Sequence, residues 1–387
     1  MRLTSSFSIL ALLSAVLAHP GEIEEHDTPA KHEFLRYAQR SIADCKQPLY
    51  LEGYETAAVQ RRANLAKVLR EERGLPSREF LDKRDFETVL NTSHHSNKTN
   101  LSLLSPSKDI FTGELQCVLQ SETTEGPYYV KGELIRTNIR ERQKGIPLYI
   151  DYQIVDVNTC KPVPNVHLDS WHTNATGVYA GVVARGNGNI NDLSNINATF
   201  ARGITKTDRH GVTFLETLFP GHYTGRTTHI HVLVTVNATV ARNGTLIGGN
   251  VAHVGQVFFD QDLINKVEAY SPYTTNQQPL LLNKDDFIFA EEAASSDPVL
   301  NYVWLGSKPT DGILAWITIG IDTKASYNPS AAVFWTKNGG VVNPDAPSGP
   351  PGGPGGPGGP PPSGFPTGLP PPSSTVSATS DPTSTSA

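Results

Sequence analysis

Residues 219–236 read FPGHYTGRTTHIHVLVTV, which puts a tyrosine, an arginine and two histidines within ten positions. On a β-strand, side chains two apart share a face. His229, His231, Leu233 and Thr235 therefore lie on one side, and Ile230, Val232, Val234 and Val236 on the other. The second set is uniformly apolar and is expected to face a core. Two imidazoles on the first face can grip one metal ion, although two surface histidines on an exposed strand would read the same way. A zinc hydrolase needs a third His, Asp or Glu beside an open position, and the chain runs on as VLVTVNATVAR with no acidic residue. What it offers is tyrosine: Tyr223, six residues before His229, and Tyr179, in DSWHTNATGVYAGV. A neutral phenol is a poor ligand, with a pKa of ~10. A trivalent iron would lower that pKa and hold the phenolate, because a bound cation inverts local titration. Two phenolates and two imidazoles would leave such an ion one position for hydroxide or substrate.

These stretches resemble the intradiol ring-cleaving dioxygenases, in particular their secreted fungal branch. Four segments carry the likeness: ETTEGPYY (122–129), DSWHTNATGVY, TDRHGVTFLETLFPGHYTGRTTHIHV and GQVFFD. It covers roughly residues 115–260 and extends to about 338. The resemblance implies a β-sandwich holding non-haem Fe(III) through Tyr179, Tyr223, His229 and His231. It places Arg226 and Gln256 beside the bound substrate, with Thr124, Gly126 and Pro127 lining the mouth of the site. It also makes Tyr223, between Gly221 and Gly225, the ligand that leaves when substrate binds, and Tyr179 the one that stays. Two departures stand out. The interval from Tyr223 to His229 is tighter than in the cytoplasmic members, and their helical dimerisation region has no match.

The implied activity is oxidative. A catechol-type compound binds through both oxygens, O2 adds, and the ring opens between the two hydroxylated carbons to a muconate-type diacid. From the residues alone, what is supported is a metal acting as Lewis acid and template. Two rivals remain open: a secreted glycan- or cell-wall-binding sandwich with a degenerate metal site, against which intact Arg226 and Gln256 count, and a metal-dependent hydrolase using the same strand. Among the neighbouring residues, Trp171 reads as core packing. His172, His210 and His222 read as loop or surface residues, Tyr128 and Tyr129 as strand aromatics, and His94 and His95 as solvated.

These residues need a scaffold, and the texture from Asp109 onward supplies one. Short β-rich runs at 146–155, 166–171, 212–218, 229–236, 254–259, 287–290, 302–305 and 313–321 alternate with Gly, Pro and Asn turns. Many short strands with such punctuation predict an all-β, antiparallel sandwich over 109–338. No helix-length periodic run interrupts them, which argues against an α/β fold. Upstream, apolar residues recur at helical spacing over 31–73 among many charges. This marks 19–84 as a helical N-terminal segment and candidate propeptide. Residues 85–108 read as a sequon-rich linker. From 339 to 387 the chain is rich in Pro, Gly, Ser and Thr and is expected to be a disordered tail, with a Ser/Thr end suited to O-glycans.

The ends and the cysteines speak to compartment. Residues 1–18, MRLTSSFSILALLSAVLA, have the charge, apolar run and small-residue cleavage pattern of a secretory signal. No later stretch reaches membrane-spanning length. N-x-Ser/Thr sequons begin at Asn91, Asn97, Asn100, Asn174, Asn197, Asn237 and Asn243, which suits glycosylation in a secreted chain. The three cysteines, Cys45, Cys117 and Cys160, are an odd count. The dibasic pair Lys83-Arg84 is a candidate processing site. A cut there would remove Cys45 and leave Cys117 to pair with Cys160. With a net charge of −6 over 387 residues, no basic footprint for nucleic acid is present.

Overall fold

A computed structural model describes residues 29–75, 117–118 and 126–346 except 243. Eight strands form a two-sheet sandwich: β1 (Pro147–Asp156), β2 (His167–Trp171), β3 (Arg202–Lys206), β4 (Val212–Leu218), β5 (His229–Val236), β6 (Asn250–Phe258), β7 (Asn301–Trp304) and β8 (Ile313–Ile321). The first sheet runs β7–β8–β1–β4 and the second β6–β5–β2–β3. Every pairing in the second sheet is antiparallel, as expected for the whole sandwich. In the first sheet, however, β1 and β8 pair in parallel over nine residues, from Leu148↔Ile313 to Asp156↔Ile321. Parallel partners need a long crossover, and here most of the domain lies between them.

The core fills the space between the sheets. Leu148, Ile150, Tyr152 and Ile154 of β1 and Ile313, Ile317 and Ile319 of β8 meet Ile230, Val232, Val234 and Val236 of β5. The apolar face read from the β5 alternation is therefore the core face. β1 and β8 are buried at every position, because their other face is also covered, as in parallel sheets generally.

The cover is the N-terminal segment. Helices α1 (Pro29–Leu51) and α2 (Tyr54–Glu72) match the helical reading of 31–73. Val59, Ala66 and Leu69 of α2 pack on Tyr149, Val303, Leu314 and Trp316. Arg61 and Arg62 both bind Asp151 of β1, at 2.7 and 2.8 Å, and the Arg62 and Asp151 side chains are buried. The segment thus behaves as part of the sandwich body. Cys45 of α1 is disulfide-bonded to Cys160, which corrects the expected Cys117–Cys160 pairing. That expectation assumed Cys45 would be lost by processing, whereas α1 packs it beside Val155 near the end of β1. Cys117 sits in a two-residue strand that pairs in parallel with β8.

Three other expectations change. The apolar run 287–290 is helical, in α4 (Phe287–Ser295), because the Asp286 side chain accepts a hydrogen bond from Phe289 N and caps a helix there. A second helix, α3 (Gln261–Glu268), buries Leu263, Ile264 and Val267. The folded body also continues past 338, since Gly339–Val342 pairs with Val333–Thr336. Residues 1–28, Lys83-Arg84, the linker 85–108, Thr124 and the tail beyond 346 lie outside the described residues, as do Asn91, Asn97, Asn100 and Asn243. Among the described residues, no helix is long and apolar enough to cross a membrane.

Candidate metal centre

The outer face of the second sheet presents His229 and His231 side by side, each at most 3 % exposed. Their Nε2 atoms lie 3.1 Å apart. His229 Nδ1 is 2.7 Å from the Thr227 carbonyl, so Nδ1 carries the proton and donates it, which leaves a lone pair on Nε2. The Tyr179 hydroxyl is 3.3 Å from that same Nε2. Tyr223 completes the group: its ring centroid is 5.3 Å from that of Tyr179 and 5.6 Å from that of His229. His231 Nδ1 is buried with no hydrogen-bond partner, while Trp171 stacks flat on its ring at 4.8 Å and 3°. Trp171 is therefore a shelf for a site residue as well as core.

The turn carrying Tyr223 is pinned on both sides. Thr173 Oγ1 donates to Gly221 O at 2.5 Å, and Thr224 N donates to Gln278 Oε1 at 2.9 Å. Gly221 is required by close approach, since a Cβ there would lie 2.5 Å from the Ala175 carbonyl oxygen. Gly225 adopts φ +88°, a left-handed conformation that favours glycine. The next residue, Arg226, is fully buried. Its Nε donates to Asp286 Oδ2 at 2.8 Å and its Nη2 to Gln256 Oε1 at 2.7 Å. Gln256 faces His231 across the β5–β6 register. With its oxygen turned to Arg226, its Nε2 is buried and without a partner.

Tyr179 sits on the loop after β2, where Asn187 Oδ1 accepts its N–H and Asn187 and Asn195 donate to its carbonyl. A second buried arginine, Arg202 of β3, lies over its ring at 5.8 Å. Arg202 donates to Ala180 O and Tyr128 O and lies 3.7 Å from Glu133. The Tyr128 ring is 4.9 Å from that of Tyr179 and 6.1 Å from that of Tyr223.

Burial raises the pKa of Tyr179, opposed by Arg226 and Arg202, and raises Tyr223 well above the usual phenol range. Burial, His229 and the two arginines hold His231 well below the usual imidazole range. Without a cation, then, the phenols are neutral and His231 is uncharged. This donor set fits a hard trivalent ion, which would draw off the phenol protons and meet ready lone pairs. Among the described residues, no group of three His, Cys, Asp or Glu side chains could hold a metal. The convergent donors are two imidazoles and two phenols.

All the expected ligands, with Arg226 and Gln256, fall together. Gly126 and Pro127 lead directly into Tyr128. His172 is buried rather than superficial, held between Thr173 O and Thr217 Oγ1. His222 is likewise buried and pairs with Glu268 at 2.8 Å. His210 is exposed beside Arg209. Asn197 and Asn237 are exposed, whereas the half-buried Asn174 spends its amide nitrogen on Gln143. Sequence reasoning missed Asp286, sixty residues from Arg226 with no motif around it, and Arg202. Tyr128 lay inside a quoted motif but was read as a strand aromatic.

No family model and no curated protein matches the chain. Among solved structures, an intradiol ring-cleavage dioxygenase from Tetranychus urticae is 30 % identical, the match covering 56 % of this chain and 98 % of that one with a TM-score of 0.45. A second solved dioxygenase is 32 % identical over 55 % of this chain and 98 % of its own, with a TM-score of 0.44. These matches bear on the family and not on its fungal branch. On that shared sequence, spanning nearly the whole of both relatives, the chain belongs to the intradiol ring-cleavage dioxygenase family.

Proposed function

We propose that this chain is a non-haem Fe(III) dioxygenase that opens catechol-type rings between their hydroxylated carbons, placing both atoms of O2 in the two carboxyl groups of a muconate-type product. The observation that carries this reading is the convergence of His229 Nε2, His231 Nε2 and the Tyr179 hydroxyl, with Tyr223 against them. When bound, a ferric ion would supply Lewis-acid polarisation of a chelated catecholate and make its ring reactive towards O2.

The protein's own groups do the rest. Tyr223, on its turn, would give way to substrate and, held as the phenolate once a ferric ion is bound, would take a catechol proton on its phenolic oxygen. Arg226 is fixed by Asp286 and Gln256, so its charge is preorganised for negative charge building on the ring. Gln256 Nε2 has a free N–H to offer a substrate oxygen. Burial of every donor keeps water away, which strengthens these interactions. A surface cleft of about 360 Å³ lined by Thr176, Thr224 and Gln278 lies beside the Tyr223 turn and offers an approach.

The supporting test is metal analysis with visible spectroscopy. One iron per chain and a red tyrosinate-to-Fe(III) absorption that shifts when catechol is added without air are expected, followed by ring-opened product once O2 is admitted. A colourless protein carrying zinc, or no metal, would sink the reading. We further read the chain as secreted, which rests on the pattern of residues 1–18.

A further inference from the structure

The outer face of the second sheet carries another concavity. It measures about 320 Å³, within the range of small-molecule sites. Its deep wall is Tyr129, Leu233 and Asp169, all at least nine-tenths buried, and its rim includes the exposed Lys131 and Asn250 and the half-buried Tyr327. Asp169 is 4 % exposed, and its Oδ1 has no hydrogen-bond partner. Buried polar atoms are nearly always satisfied, so one left open at the base of a cavity points to something that fills it.

The charge around the cavity narrows what that is. Burial and the nearby Glu133 push the Asp169 carboxyl well above its usual range, with Arg202 opposing. A neutral carboxyl both donates and accepts. Arg202 behind it and Lys131 at the rim disfavour a cation, and Glu133, the acid that raises Asp169, disfavours an anion. The polar groups stand at several points around the cavity, while Tyr129, Leu233 and Tyr327 offer apolar surface between them. A phenol carries polarity on one edge only. A sugar ring carries hydroxyls around its periphery and C–H faces for an aromatic ring.

We propose that this cavity is a second binding site, for a neutral monosaccharide unit, with Asp169 as the hydrogen-bonding group at its floor. It is separate from the metal centre but mechanically next to it. The Tyr129 ring lies 5.0 Å from Trp171, which stacks on His231. Occupancy is therefore readable in tryptophan fluorescence as well as in ligand-detected NMR.

The test titrates the full metal-loaded protein with methyl glycosides of glucose, xylose, mannose and N-acetylglucosamine, and with phenol as the non-saccharide probe. At least one glycoside should give a saturable response by both readouts. Asp169→Leu should weaken it about tenfold, the loss of one buried hydrogen bond, while Asp169→Asn, which still donates and accepts, should stay within about threefold. Metal content and unfolding midpoint are measured alongside. If Asp169→Leu does not fold, Asn250→Trp at the exposed rim should block the response instead. No saturable glycoside, saturation by phenol alone, or saturation indifferent to these variants would each overturn the proposal.

Discussion

The Arg226–Asp286 pair makes a prediction whose sign depends on its background. Both side chains are fully buried. Asp286 accepts from Arg226 Nε, from Thr227 N at 2.7 Å and from Phe289 N at 2.8 Å, so it both anchors the arginine and caps α4. Removing one member of a buried pair costs about 3–5 kcal/mol, and losing an N-cap adds about 1. Asp286→Ala should therefore lower the unfolding midpoint by about 8–24 °C, at 2–4 °C per kcal/mol for a domain of this size. Asp286→Asn keeps an acceptor for the cap and removes only the charge. In the wild-type background it should destabilise, because Arg226 is left buried without a counter-charge. In an Arg226→Leu background it should stabilise, because there the carboxylate is the stranded charge. Turnover tells a different story. Arg226→Leu should keep iron and colour, since Arg226 is not a ligand, yet lose about 10²–10³ in kcat. The double variant should regain stability but no activity. The assays are thermal unfolding, iron content and catechol turnover on five proteins. The same sign for Asp286→Asn in both backgrounds would refute the pairing argument.

Tyr179→Phe should lose bound iron and alter the visible spectrum of the anaerobic catechol complex. Tyr223→Phe should keep that spectrum but exchange substrate slowly, and full iron and full activity in both variants would remove both as ligands. Cys45→Ser should destabilise by about 4–5 kcal/mol, since the bond closes a loop spanning 115 positions. Peptide mapping that finds Cys117 joined to Cys160 would contradict the structure. Burial holds His172 at about 4 and His253 at about 3. Both lie below the unfolded value near 6.5, so as pH falls the unfolded chain binds protons first. Stability should then drop from about pH 6.5 downward by roughly 1.4 kcal/mol per pH unit for each histidine, until the folded pKa is reached. A pH series of urea melts in which His253→Leu leaves the slope unchanged would be the contrary result.

What was legible in the sequence was what local spacing encodes. The alternation of 229–236 fixed which face meets the core and which carries imidazoles, and one turn held Tyr223 and Arg226 within reach of them. What was not legible depends on chain returning from far away. Asp286 reads as an ordinary turn acid, and only the tertiary fold brings it to Arg226. The run FIFA is as good a buried strand as a helix by pattern, and the cap decided it. β3, ARGITK in context, alternates too weakly to be recognised, yet it delivers Arg202. The pairing of Cys45 depends on how α1 docks, which no spacing along the chain reveals.

The two buried arginines act together on the candidate metal centre. Arg226 approaches from the turn and is neutralised in part by Asp286. Arg202 approaches from β3 and is neutralised in part by Glu133, whose own pKa burial raises to about 7 despite that arginine. Both lower the pKa of Tyr179 and of His231. For the phenol this favours the anion, and for the imidazole it favours the neutral form with a free lone pair. Both are the protonation states a metal-bound group must have. The same surplus of positive charge would repel a bare cation, so it is useful only if the donors bring negative charge of their own. Two phenolates, and then a catecholate dianion, would do so under the proposed function. The surroundings of the site thus suit an anionic donor set, as the proposed Fe(III) reading requires. An all-histidine zinc site would keep its imidazoles neutral beside two arginines but would bring no negative charge to offset their repulsion of the metal.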